Sequence, residues 1–486
     1  MLSLEIWRHR NDDMHMIAQR LPTFWFALLL PCLNFAAHAH ADLKVGAAAV
    51  VITPPQGISM AGYYSARGSE GVHDDLFSKA LVLDDGQTRV AIVALDLIST
   101  SRSLVEEARA AIEKRTGIPA GHILITATHS HTGPMLANAN RRWNDFGASS
   151  PLAVEYTQAL PGKLADSVAE AVEKLTPVTA SWAVGRCEGI AFNRRFLMVD
   201  GTVGWNAGKL NPRIIRAAGP VDPDLPMLSF EAEKRRPVAM FVNFPIHLDT
   251  VGGPVISADV PGVVSRILAE ARDPGMMTLY ATGCCGDINH VDISHDRPQK
   301  GFTESARIGS IVAASVLRGL GDLQAVSDTT LRVRSKMVQL AAYPSTEDDF
   351  KAAQEMITKN RDPDFKPKFG TQQLAKAYRD ADIQDRDRAA YDVEVQVITL
   401  GREVAFVSLP GEIFVELGIT IRRASPFVCT GIAELANGSI GYIPNRVAYP
   451  QGAYEVLSSR VAAGSGEVLV DTALELLREN YLDAAK

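Results

Sequence analysis

Apolar runs and amphipathic stretches alternate along the first part of the chain. Residues 89–98 (RVAIVALDLI) are almost continuously apolar, as is typical of a strand buried on both faces. Residues 101–117 then carry apolar side chains at helical spacing up to Gly117, a common helix stop. A further apolar run, HILITAT at 122–128, follows. The pattern predicts a βαβ unit and therefore a parallel pair of strands.

The same order of elements returns later in the chain. VAMFVNF at 238–244 and TLYAT at 278–282 are short apolar runs, and PGVVSRILAEA at 261–271 between them has helical periodicity. A further helix is predicted over 303–319. These segments therefore extend the predicted core of strands and covering helices.

Beyond residue 330 the pattern changes from apolar runs to alternation. LRVRSKMVQL at 331–340 alternates as an antiparallel strand with one wetted face does, and the segments on either side of Gly401 predict a hairpin. The overall prediction is one α/β unit with a mixed, largely parallel sheet core, helices around it and antiparallel additions in the last third.

Two details of this last third are also predicted. Ser345 and Asp348 have the spacing of a capping pair that opens a helix over 346–358. The segment 359–390 is charged and polar, which indicates a mobile excursion or a surface helix pair.

The first forty residues have the pattern of an export signal. Arg20 precedes an apolar run at 24–37, and small residues (AHAHA) follow, as at a cleavage site. The run is short for a bilayer span, which needs about 20 residues; a short membrane anchor is the alternative. The sequence predicts a signal peptide at 1–41, a mature domain at 42–486 without a stable membrane span, and a periplasmic or secreted location.

Composition and charge exclude some classes of protein. Of the 486 residues, 47% are hydrophobic and 22% are charged, which is the balance of a folded globular protein. The net charge is −7 and no Lys/Arg block occurs, so nucleic acid is not expected as a partner. The cysteines form no CxxC framework, and adjacent Cys284 and Cys285 are expected to be buried packing residues.

Four apolar runs end in residues that hold metals or move protons. These are HSH at 129–131, His247, GDIN at 286–289 and PGE at 410–412. Open parallel sheets place their working residues just past the carboxyl ends of strands. The recurrence therefore indicates a functional site.

Each of these residues also has an interpretation without chemistry. An H-x-H pair suits zinc because imidazole nitrogen is a good ligand, but two loop histidines bonded to backbone would show the same pattern. His247 alone is more often structural. Glu412 is interpreted locally as the opening of a helix (EIFVELGITIRR), where a carboxylate suits the helix dipole. Asp287 is equally well explained as a turn-forming residue.

Three further polar residues receive local interpretations. His73 pairs with Asp74 or Asp75. Asp96, at the end of a buried strand, either orients a metal-ligating imidazole or is a satisfied core aspartate. Asp259 is expected to cap the helix that follows it.

Several stretches of the chain together carry a resemblance to a known family. In chain order they are VGAAAVVITPP, SMAGYYSARGSEGVHDDLFSKALVL, TATHSHTGP, FNRR, NFPIHLDTVGG, GCCGDIN, SLPGEIFVELG, ELANGSIGYIPN and YEV. In this order and spacing, residues 44–480 resemble the catalytic domain of the neutral/alkaline non-lysosomal ceramidases.

The resemblance implies a zinc site and assigns residues to it. His131 would line the site and contact substrate or water, and Arg194 would hold a substrate oxygen or a developing oxyanion. One Zn²⁺ per chain is implied, with the ligands His129, His247, Glu412 and Tyr442.

The chain departs from the family pattern at two places. Asn289 stands where the family carries a serine proposed as nucleophile. Asparagine cannot attack a carbonyl, so attack by water activated at the zinc is expected, with Asn289 donating to the substrate and Asp287 orienting a neighbour. The sequence also ends in DTALELLRENYLDAAK, where ceramidases of this type continue into an immunoglobulin-like domain.

These observations predict an exported zinc-dependent amidohydrolase that acts on linear amides. The resemblance implies release of sphingosine and fatty acid from ceramide, so the expected partner is a small-molecule or lipid substrate such as an N-acyl sphingoid base. One alternative is hydrolysis of a different amide or ester at the same metal site. An alternative of another class is a non-catalytic binding protein on this scaffold.

Overall fold

The computed structural model describes residues 43–138 and 140–484. The signal peptide predicted at 1–41 lies outside these residues and stays a prediction. The α-helices, numbered in chain order, are α1 (Arg102–Thr116), α2 (Arg141–Asp145), α3 (Pro151–Glu173), α4 (Asp259–Arg272), α5 (Phe302–Gly319), α6 (Glu347–Arg361), α7 (Thr371–Asp385), α8 (Val415–Ala424), α9 (Tyr454–Ser458) and α10 (Ser465–Asp483).

The strands are numbered in the same way. They are β1 (Lys44–Val51), β2 (Gly71–Val72), β3 (Phe77–Asp84), β4 (Arg89–Leu95), β5 (Ile123–Ala127), β6 (Thr176–Pro177), β7 (Thr179–Arg186), β8 (Phe192–Asn193), β9 (Arg195–Met198), β10 (Val203–Trp205), β11 (Ile214–Ala217), β12 (Asp224–Ala232), β13 (Arg236–Phe244), β14 (Val255–Ile256), β15 (Met277–Thr282), β16 (Ile288–Asn289), β17 (Gln324–Ala325), β18 (Leu331–Leu340), β19 (Tyr391–Leu400), β20 (Val404–Ser408), β21 (Glu412–Ile413), β22 (Cys429–Ala433) and β23 (Tyr442–Ile443).

Three larger sheets carry the fold, and each contains one parallel pair. The first has the order β5-β4-β3-β1-β6 and is parallel at β4 and β5. The second has the order β15-β13-β12-β7-β17 and is parallel at β13 and β15. The third has the order β18-β19-β20-β22 and is parallel at β20 and β22. The other pairs within these sheets are antiparallel.

The α/β class and the strand–helix–strand order are confirmed. Helix α1 lies between β4 and β5 in the chain, and α4 lies between β13 and β15. The balance of strand directions differs from the prediction, because antiparallel pairs occur in all three sheets and not mainly in the last third. Short connections such as the one from β3 to β4 can join only antiparallel neighbours. The hairpin at Gly401 is confirmed between β19 and β20.

The ends and the buried face of α1 follow from its sequence. The Ser101 side chain accepts a hydrogen bond from the Leu104 N–H, and Gly117 ends the helix with φ of 73°. The face towards the core carries buried Leu104, Ala108 and Ile112. This packing sets the crossover that brings β5, and the histidines after it, beside β4.

The capping pair predicted for α6 is wrong by one residue. Thr346 is the N-cap: its side chain accepts from the Asp349 N–H, and the Asp349 carboxylate accepts from the Thr346 N–H. The Ser345 hydroxyl donates instead to the buried carboxylate of Asp380 at 2.5 Å.

The segment 359–390 contains the last residues of α6 and one further helix, α7, which packs on α6, so the prediction of a helix pair within this segment is wrong. The predicted surface position is also wrong for α7. Arg379, Asp380 and Asp382 are 2%, 0% and 6% exposed. Their charges are compatible with burial because they are paired, for example through the 2.8 Å contact between Arg379 and Asp380.

Two other predictions concern the cysteines and the membrane. Cys284 and Cys285 are buried free thiols, as expected. Among the helices of the described residues, none combines the length and the apolar character needed to cross a bilayer.

Candidate metal centre and active-site cavity

The carboxyl end of β5 leads directly to His129. This residue is 2% exposed, and its φ of 72° is a left-handed backbone conformation that is uncommon for non-glycine residues. Its Nδ1 lies 2.8 Å from the carbonyl oxygen of Ile98. That contact makes Nδ1 the donor nitrogen, so Nε2 is left as an acceptor for another partner.

The Nε2 atoms of three buried histidines converge at one point. Nε2 of His129 lies 3.2 Å from Nε2 of His247 and 3.3 Å from Nε2 of His131. The loop after β13 supplies His247, and the His131 N–H donates to the Leu248 carbonyl at 3.1 Å, which ties the two strand ends together. Nδ1 of His131 is buried without a hydrogen-bond partner. The three ring nitrogens are therefore close enough to bind one ion together.

Glu412 reaches the same place through a short parallel pair of strands. β21 and β23 lie side by side, with Glu412 opposite Tyr442. Oε2 of Glu412 lies 3.4 Å from Nε2 of His129 and, although buried, has no hydrogen-bond partner. The prediction that Glu412 opens a helix is wrong, because it lies in β21 and α8 begins only at Val415.

This donor set fits a zinc ion. Four-coordinate zinc holds nitrogen and oxygen ligands at about 2.0–2.2 Å, which separates neighbouring ligand atoms by roughly 3.3 Å. The separations of 3.2, 3.3 and 3.4 Å around Nε2 of His129 match that value. His131 belongs to the same set, since the donor atoms of His129, His131 and His247 all lie within 4.8 Å of one another. His131 is thus a candidate ligand as well as a lining residue.

The electrostatics of the cluster suit a divalent cation. Burial disfavours the imidazolium form, which lowers the pKa of His131 to about 3 and that of His247 well below its ordinary value. Burial also opposes charge on His129, but the neighbouring Glu412 carboxylate outweighs it and raises the pKa of His129. Burial acts to raise the pKa of Glu412, and the charge of His129 overcomes it and lowers that pKa. Two neutral imidazoles beside an ionised carboxylate suit a bound cation, which would displace the proton that Glu412 stabilises on His129.

Arg194 connects the cluster to other parts of the chain. Its guanidinium donates to Oε1 of Glu455 at 2.8 Å, to the carbonyl oxygen of Gly286 at 2.8 Å and to the hydroxyl of Tyr442 at 3.1 Å. Its Nη1 lies 3.4 Å from Nδ1 of His247. Tyr442 is therefore held at the cluster both by β23 and by Arg194.

A cavity of about 700 Å³ opens beside the cluster, a volume in the range of small-molecule sites. His131, His247, Arg194 and Tyr442 contribute to its lining. Its aromatic lining residues include Tyr63, Tyr64, Phe196, Trp205, Phe369 and Tyr454. Its polar lining residues include Asn206, Lys209, Asp249, Asn289, Gln299 and Lys300. The cavity can therefore take a molecule with an apolar part and a polar part next to the candidate metal centre.

Sequence comparison decides the family. The family model described as neutral/alkaline non-lysosomal ceramidase, N-terminal, matches residues 43–322, which is more than half of the chain. This chain belongs to the neutral/alkaline non-lysosomal ceramidase family. His129, His131, Arg194 and His247 lie inside the match, whereas Glu412 and Tyr442 lie beyond it. No curated protein matches the chain at a significant level.

Two solved ceramidase structures share the fold. Neutral ceramidase from Pseudomonas aeruginosa superimposes with a TM-score of 0.70 at 18% identity, over 90% of this chain and 75% of that one. A ceramidase complexed with C2 gives a TM-score of 0.69 at 18% identity, over 90% of this chain and 76% of that one. The likeness in fold covers more of the chain than the family model does.

Asn289, which the resemblance places where the family carries a serine, lies at the cavity wall. It ends β16 and is 9% exposed. Its Nδ2 donates to Oδ1 of Asn206 at 2.9 Å, and its Oδ1 accepts from the Val291 N–H at 2.9 Å. The amide group is thus fixed in orientation by the protein, and its contact with substrate stays a prediction.

Asp287 is buried behind the ceramidase cavity and is absent from the described lining. Its Oδ1 accepts from the Val415 N–H at 2.8 Å and its Oδ2 from Nδ2 of Asn193 at 2.7 Å. Burial raises its pKa to about 6. The geometry supports the predicted orienting of a neighbour, since Asn193 precedes Arg194, and gives no support to direct contact with substrate.

The orienting role weighed for Asp96 is wrong. Asp96 accepts from the Phe77 N–H at 2.9 Å, and the Ile98 carbonyl, not a carboxylate, holds Nδ1 of His129. Asp96 is therefore a core aspartate, as the alternative interpretation stated.

The cap predicted at Asp259 is also wrong. Asp259 is already the first residue of α4, with φ of 54°, and its own N–H donates to the Ser257 hydroxyl at 3.0 Å. Its Oδ2 accepts from the N–H groups of Thr250 and Val251 at 2.9 and 3.2 Å. Asp259 therefore fixes the loop that follows His247.

Two fully buried glutamates of the site are not predicted from the sequence. Glu455 pairs with Arg194 and Arg195, and Oε2 of Glu434 accepts from the N–H of Ile413, next to Glu412, at 2.8 Å. Both residues lie in stretches that resemble the family, ELANGSIGYIPN and YEV. Their position in these stretches is the one sequence feature that could have indicated a role at the site. A glutamate in the sequence does not by itself show which distant residues it contacts.

Proposed function

We propose that this protein is a zinc-dependent hydrolase of an N-acyl amide bond, with N-acyl sphingoid bases as the first substrates to test. The observation that carries the proposal is the convergence of three imidazole nitrogens and one carboxylate oxygen within 3.2–3.4 Å contacts around His129. The family to which the chain belongs supports a hydrolase, and the adjoining cavity supports a substrate of moderate size.

The chain supplies defined roles around a bound zinc. His129, His247, Glu412 and Tyr442 would hold the ion, with His131 as a further candidate ligand. When bound, zinc supplies Lewis acidity towards an acyl carbonyl and activates water. His131 lines the cavity, so unless it is itself a ligand its imidazole would accept a hydrogen bond from the attacking water and orient it, whereas a pKa of about 3 makes it too weak a base to hold the proton.

Other side chains would orient the substrate. Arg194 lines the cavity and carries a permanent charge, which suits it to hold a substrate oxygen. Asn289 offers an amide of fixed orientation on the same lining. Since asparagine is not a nucleophile, we propose direct attack by water without an acyl-enzyme.

A different amide or ester is the second candidate substrate. The polar lining residues and the volume of about 700 Å³ favour this candidate over a bulky two-chain lipid. Metal content and substrate range test both candidates. One zinc per chain with turnover of N-acyl-sphingosine supports the first, and zinc with turnover only of other amides or esters supports the second. No bound metal and no turnover would leave a non-catalytic binding protein.

We further propose that the chain is exported, on the pattern at 1–41. The test is N-terminal sequencing of the mature protein from periplasmic and culture fractions of an expressing bacterium. A mature N-terminus close to residue 42 is expected, whereas an uncleaved cytoplasmic protein would contradict export.

A further inference from the structure

We propose that Glu434 is a positioning residue of the metal centre, one that sets the place of Glu412 relative to the histidines without touching the ion or the substrate. The inference rests on the proposed zinc-dependent function and adds a group that shapes its site. Glu434 directly follows β22, is 0% exposed and does not line the active-site cavity described above. Any effect on the site therefore passes through the residues that it holds.

The side chain of Glu434 ties two loops together. Its Oε2 accepts from the N–H groups of Ile413 at 2.8 Å and Cys285 at 3.1 Å, and its Oε1 accepts from the Cys285 thiol at 2.9 Å. Ile413 is the neighbour of Glu412 in β21. One carboxylate therefore fixes the backbone beside a predicted zinc ligand against the loop that follows β15.

The loop after β15 also anchors Arg194. The Arg194 guanidinium donates to the carbonyl oxygen of Gly286 at 2.8 Å, and the N–H of Gly286 donates to the carbonyl oxygen of Ile413 at 2.8 Å. A shift of this loop would therefore move Arg194 as well as Glu412.

The main chain of Glu434 reaches the other two large sheets. Its N–H donates to the carbonyl oxygen of Thr282, at the end of β15, at 3.0 Å, and its carbonyl oxygen accepts from the Thr126 hydroxyl at 2.8 Å. The Thr282 hydroxyl in turn donates to the carbonyl oxygen of Thr128, the residue before His129, at 2.7 Å. Glu434 therefore joins the carboxyl ends of β5, β15 and β22, one strand from each large sheet.

The carboxyl group serves this junction through its acceptors. In the described part of the chain its hydrogen bonds come from N–H and thiol donors, and none comes from lysine or arginine. Burying the N–H groups of Ile413 and Cys285 without an acceptor is costly, so a side chain that lacks acceptors should displace both loops. Removal of a partner that orients a metal ligand typically weakens metal binding about 10–100-fold.

The experiment measures zinc affinity by competition with a chromogenic chelator, and ligand geometry by the visible spectrum of the cobalt-loaded protein. Glu434→Met fills a similar space without acceptors, so it should weaken zinc binding by about 10–100-fold and change the cobalt spectrum. Glu434→Gln keeps an oxygen for the two N–H groups, so its zinc affinity should stay within about threefold of the wild type.

The matched control is a buried carboxylate that joins two sheets at their opposite edge. Asp85 accepts from the N–H groups of Gln87 and Thr88 through Oδ1, and from that of Leu331, the first residue of β18, through Oδ2. It follows β3 at the edge where β4 begins, whereas the histidine cluster lies beyond the edge where β4 ends. Asp85→Leu should lower the midpoint of urea unfolding as Glu434→Met does, and leave zinc affinity and the cobalt spectrum unchanged.

Wild-type zinc affinity and an unchanged cobalt spectrum in Glu434→Met would overturn this inference and leave the proposed function intact. Equal weakening in Glu434→Gln would assign the effect to charge, and equal weakening in Asp85→Leu would assign it to stability; either result also overturns the inference. If Glu434→Met does not fold, Glu434→Asp decides, because it keeps the acceptors but moves them by one methylene. Weaker zinc binding in Glu434→Asp supports the inference and wild-type binding overturns it. A wild-type protein that binds no zinc overturns the proposed function and this inference together.

Discussion

Two cavities of the protein contain histidines next to charged residues, and they differ in how those groups are satisfied. The larger, of about 880 Å³, is lined by His73, Asp74 and Lys79 among others. There Nδ1 of His73 lies 2.7 Å from Oδ2 of Asp74, and Nζ of Lys79 donates to the Ser265 hydroxyl at 2.7 Å. The predicted pairing of His73 with a neighbouring aspartate is thus confirmed.

The smaller cavity contains the histidine cluster, and there several buried polar atoms have no hydrogen-bond partner. Nε2 of His129 faces two further imidazole nitrogens, and Oε2 of Glu412 and Nδ1 of His131 have no hydrogen-bond partner. Buried polar atoms without partners are costly unless a ligand satisfies them. The larger cavity also has buried polar atoms without a partner, Oδ1 of Asp259 and Oγ1 of Thr278. The convergence of several ligand atoms on one point, rather than volume or unmet hydrogen bonding alone, therefore distinguishes the candidate active site.

The largest effect is expected from removing a histidine of the cluster. His247→Ala should abolish stoichiometric zinc binding and lower kcat/KM at least about a thousandfold, because the Lewis acid contributes several kcal/mol to the transition state. Zinc is measured by elemental analysis and kcat/KM with the best amide substrate. A variant that folds, keeps one zinc and retains activity would remove the distinction between the two cavities.

A smaller but substantial effect is expected at Glu455, which holds Arg194 in place. Glu455→Gln leaves two buried guanidinium groups without a carboxylate, which should destabilise the protein by about 3–5 kcal/mol. It should also lower kcat by about 10–100-fold, in the range seen when partners of active-site groups are removed. Urea unfolding and steady-state kinetics well below the melting temperature separate the two effects.

The control for Glu455 uses the second arginine. Adding Arg195→Met to Glu455→Gln removes one of the two unbalanced charges, so part of the stability should return. Arg194 still lacks its carboxylate, so kcat should stay low. Recovery of kcat together with stability would contradict a positioning role for Glu455.

The sequence predicts the framework because long apolar runs and helical periodicity report burial directly. Such patterns predict β4, α1 and β5. The motif that follows β5 contains His129 and His131. Local patterns fail where tertiary contacts decide. Glu412 follows a proline and a glycine before an amphipathic stretch, which suggests a helix start, but its pairing with Tyr442 in β21 and β23 makes it a strand residue.

The supporting residues of the site are harder to predict for the same reason. Asp259 precedes a helix and resembles a cap, yet its carboxylate serves the N–H groups of a loop nine and eight residues earlier in the chain. Glu455 meets Arg194 only through the folded chain. Such pairs form only when the ends of separate sheets meet in the folded chain. The spacing of residues within one segment therefore cannot predict them.

Asp287, whose two carboxylate oxygens both accept hydrogen bonds, should affect stability more than catalysis. Its pKa of about 6 lies above the ordinary value of 3.8, so the folded state binds more protons than the unfolded state between these values. Its contribution to stability is present below about pH 4 and is lost as pH rises through 6, by about 3 kcal/mol. Asp287→Asn should remove this pH dependence from urea unfolding curves and change kcat/KM less than about tenfold. A hundredfold loss of kcat without a change in the unfolding curves would instead assign Asp287 a role in catalysis.

The smallest effect is expected from repeating the histidine substitution in the larger cavity. The His73 side chain is 52% exposed, pairs with Asp74 and stacks on Phe302 at 3.9 Å between ring centroids. His73→Ala should therefore keep one zinc per chain, leave kcat/KM within about twofold and cost less than about 1 kcal/mol of stability, since exposed ion pairs and ring contacts contribute little. His247→Ala is the matched variant, because the same atoms are removed from a buried ring with unpaired neighbours. If His73→Ala lowers zinc content or activity as His247→Ala does, the satisfied pair is functional after all, and the convergence of ligand atoms is not what separates the two cavities.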